Sequence, residues 1–153
     1  MTGLAPAVRR ALELAHEAAA HGDRPFGAVL LDAAGTPIAE GRNRVASTGD
    51  IRAHAELDAI AAAHTAGLDD GVAGGTVVAS GEPCPMCAAG IVWAGIARIV
   101  FAAATPDFAP LLPEGPHFTL RCADVVAAST ATVAVVGPLT GVDALAPFRS
   151  SGR

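Results

Sequence analysis

Residues 75–103 read GTVVASGEPCPMCAAGIVWAGIARIVFAA, and the order of patterns along this stretch decides the fold class. GTVVAS, residues 75–80, is a short run with β-branched residues bounded by glycine, which reads as a buried strand. PMCAAGIVWAG, residues 85–95, is apolar on most sides and opens at a proline, a residue favoured in the first turn of a helix. ARIVFAA, residues 97–103, is a second buried strand. Strand, helix and strand at this spacing predict a right-handed parallel crossover.

Working outward, the apolar residues Leu4, Val8, Leu12, Ala15 and Ala19 recur at a helical period that ends at Gly22. FGAVLLD and TPIAEGR are two extended runs separated by AAG, so residues 26–42 read as a hairpin. His54 to His64 is alanine-rich and periodic through Leu57, Ile60 and Ala61, and predicts a second helix that stops at Gly67. Beyond the proline-rich TPDFAPLLPEGP, residues 105–116, the pattern returns as a helix near 123–128 and a strand in TVAVVG, residues 132–137. The tail from Pro138 has little pattern. With no internal repeat or break in composition, the expectation is one α/β domain over residues 1–153, three layers α/β/α around a mixed five-stranded sheet.

Composition bounds the partners. Hydrophobic residues make up 52% of the 153 and charged residues 16%, which excludes disorder and leaves more apolar surface than a small monomer hides; a homodimer is expected. The longest apolar run, Ala88 to Ala97, falls far short of the about 20 residues of a membrane span. Arg9, Arg10, Glu13 and Glu17 near the start fit neither a signal core nor an acid-poor transit segment, so the expected location is cytoplasmic. All ten basic residues are arginine and the net charge is −5. A protein that captures nucleic acid through phosphates needs a basic face, so nucleic acid is not an expected partner. Arg42, Arg44 and Arg52 form the one cluster, read as a solvated loop with ion pairs.

Cys84 and Cys87 are one helical turn apart at the start of the third helix, where backbone N–H groups and the positive helix end favour thiolates. His54 starts the second helix, with Glu56 in its first turn. If the two helix starts face each other, two thiolates, one imidazole and a carboxylate converge. That donor set suits Zn²⁺, and three protein ligands leave a fourth position open, as in catalytic rather than structural sites.

H-A-E at 54–56 followed by P-C-P-M-C at 83–87 is the signature of zinc deaminases. In these residues, and in PFGAVLLD (25–32), EGRN (40–43) and HAELDAI (54–60), the chain resembles the cytidine deaminase-like superfamily, in particular its nucleoside and base deaminase branch. The resemblance spans about residues 4–104; EPCPMC with Trp93 shortly after looks most like guanine deaminases, with cytosine deaminases and tRNA adenosine deaminases also similar. It implies zinc held by His54, Cys84 and Cys87, and Glu56 as the proton carrier between water, ring nitrogen and departing ammonia. It further implies substrate contacts from Asn43, from Phe26 and Trp93 as apolar walls, and from the backbone N–H of Ala55. The implied substrate is a small heterocyclic base: guanine, isoguanine, cytosine or an amino-triazine. Guanine deaminases carry a further carboxylate in an acidic segment after the fourth strand. That segment has no match here, and Asp107 and Glu114 are the candidates for its role.

Other readings of the same residues stay open at this level. The cysteine pair could be a redox pair, or part of a closed zinc site completed by Cys122, which by itself reads as a small core residue. His16, His21, His64 and His117 read as ordinary helix-face or loop histidines. Glu82 could cap or pair locally, Asn43 could serve a turn, and Trp93 could pack in the core. Deamination of a tRNA adenosine and a noncatalytic zinc module are the rival functions.

Overall fold

A computed structural model describes residues 2–150. The sheet contains β1 (Gly27–Leu31), β2 (Pro37–Arg42), β3 (Thr76–Gly81), β4 (Arg98–Ala103) and β5 (Ala134–Val136) in the order β2-β1-β3-β4-β5. Strand β1 runs antiparallel to both β2 and β3, whereas β3, β4 and β5 are parallel. The predicted hairpin and the predicted crossover are both present, and together they make the sheet mixed.

Helix α1 (Ala5–Ala20) covers one face. The helices α3 (Ala55–Thr65), α5 (Pro85–Trp93) and α7 (Cys122–Ala127) cover the other, with short turns α2 (Val45–Thr48) and α4 (Asp69–Val72) beside them. Alternation along the strands sorts the side chains between these layers. Val29, Leu31, Val78 and Val100 pack with Val8, Ala11 and Leu14 of α1. Ala28, Leu30, Val77, Ala79, Ile99 and Phe101 pack with Ala59, Ile91 and Val126 on the opposite side. Strand β1 is buried along its whole length, as a strand covered on both faces must be.

Gly41 sets how closely α3 approaches the sheet. A Cβ there would lie 2.2 Å from the carbonyl oxygen of Ala55 and 2.4 Å from the nitrogen of Ala59. Glycine therefore lets the start of α3 rest directly on β2.

Three segments that lacked a clear pattern are structured. Residues 45–48, read as loop, form α2. The proline-rich stretch begins with α6 (Thr105–Phe108), because Pro106 falls in the first turn, where its missing N–H costs nothing. The described part of the tail contains α8 (Ala146–Ser150), and its Phe148 is 2% exposed.

Candidate active site

His54 and Cys84 are the residues immediately before α3 and α5, both with extended backbone and neither using its side chain to cap its helix. Both side chains are thus free to turn toward each other. Cys87 lies one turn into α5 and is fully buried. Nδ1 of His54 is 3.5 Å from Sγ of Cys84 and 3.6 Å from Sγ of Cys87, and the three donor atoms lie within 4.8 Å of one another. With zinc–sulfur and zinc–nitrogen bonds of about 2.3 and 2.05 Å, a tetrahedral site separates sulfur from nitrogen by about 3.6 Å. The donor set therefore fits zinc in both chemistry and spacing.

Without metal, the cysteines divide their protons unequally. Cys84 is pulled down to about 4, first by the hydrogen bond from Cys87 and then by His54, against the cost of its burial. Cys87, as the donor to Cys84 and a buried group, is pushed up. His54 is raised, chiefly by its bond to Cys84.

Glu56, in the first turn of α3, is 4% exposed. Burial pushes its carboxyl above the ordinary range, and the negative charge at Cys84 adds to this. Its own backbone N–H, Cys87 and His54 pull in the opposite direction. A buried carboxyl beside the three clustered donors is placed where it can exchange protons with a group held there. Ala55 is fully buried at the head of the same helix, where first-turn N–H groups lack an intrahelical acceptor.

Asn43 follows β2 and is 3% exposed. Its backbone N–H donates to the carbonyl of Phe26 at 3.0 Å. Its Oδ1 accepts from the Val45 N–H at 3.0 Å, so it does serve a turn, the one that starts α2. That leaves the amide nitrogen as the group it can offer a ligand. Ser47 of α2 donates through its backbone and hydroxyl to the buried Asp23, which fixes the loop that carries Asn43.

Phe26 meets Phe108 edge to face, with ring centroids 5.2 Å apart, and Phe148 likewise at 5.4 Å; Phe108 and Phe148 stack at 5.1 Å. The Phe26 ring lies over Gly81, where a Cβ would come within 2.8 Å of it. Phe26 thus stands beside the turn that leads to Cys84. Neither Phe108 nor Phe148 was legible as its partner, since nothing local joins residues so far apart in sequence.

Trp93 does not pack in the core. It ends α5 and is 89% exposed, about 13 Å along the axis from Cys84 at 1.5 Å per residue. It stands at the opposite end of α5 from the ligand cluster. Asp107 faces a separate cavity of about 280 Å³ shared with Asp143 and Arg149, and Glu114 is exposed on a loop; neither joins the ligand cluster. Cys122 is buried, with its thiol pushed up to about 12 by burial and by Glu82. It is not among the clustered donors, so a zinc site closed by Cys122 is excluded.

Glu82, two residues before Cys84, has a side chain only 1% exposed and paired with Arg121. Burial would raise its carboxyl, but N–H groups of Thr105, Cys122 and Arg121 outweigh that and hold it below the ordinary range. Arg121 had no local signal as a partner. The arginine cluster is ion-paired as expected: Arg42 with Glu17, Arg44 with Asp58, Arg52 with Asp50.

A strand–helix crossover that places histidine and two cysteines at facing helix starts, with a buried glutamate beside them, defines a zinc-dependent deaminase site. Over residues 2–103 the chain matches the model of the cytidine and deoxycytidylate deaminase zinc-binding region, and it belongs to that family. It is a zinc-dependent hydrolytic deaminase with the cytidine deaminase-like fold.

Among relatives, it is 30% identical over 145 residues to a probable cytosine deaminase of Schizosaccharomyces pombe, covering 93% of this chain and 88% of that protein. It is 41% identical over 96 residues to a tRNA-specific adenosine deaminase of Haemophilus influenzae, covering 63% and 56%. The solved guanine deaminase from Nitrosomonas europaea superposes with a TM-score of 0.78 at 28% identity, covering 96% of this chain and 84% of that one. A match to a tRNA(Ile)-lysidine synthase of Deinococcus deserti spans only 19% of that longer protein. Among the described residues, no helix is long and apolar enough to cross a membrane.

Proposed function

We propose that the chain, as a single domain, removes the amino group of a free aminated nucleobase by hydrolysis, with guanine as its first substrate. The observation that carries this reading is the ligand triad, with Glu56 buried beside it. His54, Cys84 and Cys87 would hold a zinc ion, which when bound would supply an activated water for the carbon bearing the amine. Glu56 takes a proton from the nucleophile, gives it to the ring nitrogen, and helps protonate the leaving ammonia. The Ala55 N–H and the Asn43 amide nitrogen donate to acceptors on the ring, and Phe26 with Phe108 forms the apolar wall against its flat face.

Two observations favour a free base over a tRNA. The likeness to a guanine deaminase covers 96% of this chain with a TM-score of 0.78, against 86% and 0.63 for a solved tRNA A34 deaminase. In addition, the clustered arginines that could meet phosphates are spent on Glu17, Asp58 and Asp50, in a chain of net charge −5. The hydrophobic share of 52% of the chain, with Trp93 exposed, supports self-association as a homodimer.

The test is ammonia release by zinc-loaded protein on guanine, isoguanine, cytosine, adenine and amino-triazines. Release from guanine that depends on Glu56 supports the reading. Silence on every free base, with inosine formed in a tRNA anticodon stem-loop, would replace it. Sedimentation of wild type against Trp93→Ser tests the dimer, which fails if both sediment as monomers.

A further inference from the structure

Glu82 takes part in no step of the proposed chemistry, yet it is a buried carboxylate two residues from a metal ligand. Its oxygens turn away from the cluster. Oε1 accepts from the Thr105 N–H at 3.0 Å, and Oε2 from the Cys122 N–H at 3.0 Å. Nε of Arg121 donates to both, at 2.8 and 2.9 Å. Its backbone N–H donates to the Ala103 carbonyl at 2.8 Å. All three side-chain partners lie beyond residue 103, where the family match ends.

Those partners are the starts of two elements. Thr105 opens α6, which carries Phe108, and Cys122 opens α7. Phe108 reaches back to Phe26, and both rings lie against the backbone of Gly81: a Cβ there would fall 2.8 Å from Phe26 and 3.2 Å from Phe108. One end of Glu82 is therefore continuous with the turn bearing Cys84. The other end grips the helix whose aromatic ring backs Phe26.

We propose that Glu82 and Arg121 are positioning residues that fix the Phe26–Phe108 wall at its distance from the metal-ligand turn, and so set affinity for the flat ring rather than the rate of the chemistry. The proposal rests on the reading of Phe26 and Phe108 as the wall of the base pocket. Buried, charge-assisted hydrogen bonds hold geometry well because each unpaired donor is costly. A wall held in this way contributes equally to bound substrate and transition state, and its loss raises KM while leaving kcat in place.

The experiment uses zinc-loaded protein with guanine, far below the unfolding temperature, with zinc content measured for every variant. Arg121→Met is expected to keep its zinc and raise KM roughly tenfold with kcat within about twofold. Arg121→Lys, which keeps the charge, should restore most of the affinity. Glu82→Gln keeps shape and volume, and should reproduce the KM effect should Arg121→Met fold poorly. Phe108→Ala should raise KM as well, and the double variant with Arg121→Met should do no worse than the larger single effect, because both act through the same wall. An Arg121→Met protein with lower stability but unchanged KM overturns the proposal, as does a double variant whose KM effects multiply. Phe26→Ala separates the two levels. If it raises KM while Arg121→Met and Glu82→Gln do not, the positioning role alone fails; if Phe26→Ala leaves KM unchanged, the wall itself is refuted and the proposal with it.

Discussion

Replacing Glu56 by glutamine tests the chemistry with little disturbance of the structure. The two side chains have the same shape, and none of the three metal-ligand donors is altered, so zinc content should match wild type. Turnover should not survive. Glu56 is the buried carboxyl beside the triad, and the titratable groups it meets there, His54, Cys84 and Cys87, are themselves the ligand set. No neighbour can take over its proton transfers. The full contribution of a positioned general acid–base is therefore at stake, about 10²- to 10⁴-fold in kcat, or about 2.7 to 5.4 kcal/mol of barrier at 1.36 kcal/mol per decade.

A second signature separates this loss from unfolding. Burial raises the Glu56 carboxyl in the metal-free fold, so its ionised form costs stability once the pH exceeds the ordinary value of 4.5. The neutral amide removes that cost. Metal-free Glu56→Gln should melt higher than metal-free wild type at pH 7, with the difference closing as pH falls through that value. The assay is ammonia release and thermal melting on the same preparations. Full zinc with undiminished turnover would refute the argument, whatever the melting curves showed.

Three further outcomes follow from the packing. Cys87→Ala should lose zinc and stability together, because binding free energy at such a site is partly folding free energy; full zinc occupancy by elemental analysis would remove Cys87 from the ligand set. Gly41→Ala would force a methyl group to 2.2 Å from the Ala55 carbonyl, a backbone clash that should cost at least about 2 kcal/mol in denaturant unfolding and lower activity by moving His54; an unchanged midpoint would show that α3 can yield. Glu82, held below the ordinary 4.5 by its N–H partners, stabilises the fold above that pH, and the contribution is lost as pH falls through the lowered value. The stability gap between wild type and Glu82→Gln should therefore shrink in acid, and a gap independent of pH would rule out the carboxylate as its source.

The sequence was most informative where the chemistry is local. The helix period of α1, the hairpin and each element of the crossover from β3 to β4 are written in short runs, and the site pattern is two short motifs, His54 with Glu56 and Cys84 with Cys87, that lie 30 residues apart. Hydrophobic spacing and proline placement act over one or two turns of chain, so they could be read directly. Residues 45–48 and 105–108 were not read as helices because each is a single turn, too short for periodicity to register.

The sequence by itself determined which residues could hold a metal and carry a proton, since donor type and spacing in one turn are covalent facts. Only the tertiary structure decided what surrounds them. It set His54 against the two cysteines at tetrahedral spacing, turned Trp93 out to solvent at the far end of its helix, and directed Asp107 to a different cavity. It also joined Phe26 to Phe108 and Phe148, and Glu82 to Arg121 across 39 residues. Such pairings depend on how sheet and helices stack, which no short-range pattern encodes: contact between distant segments is fixed by the sum of burial over the whole core.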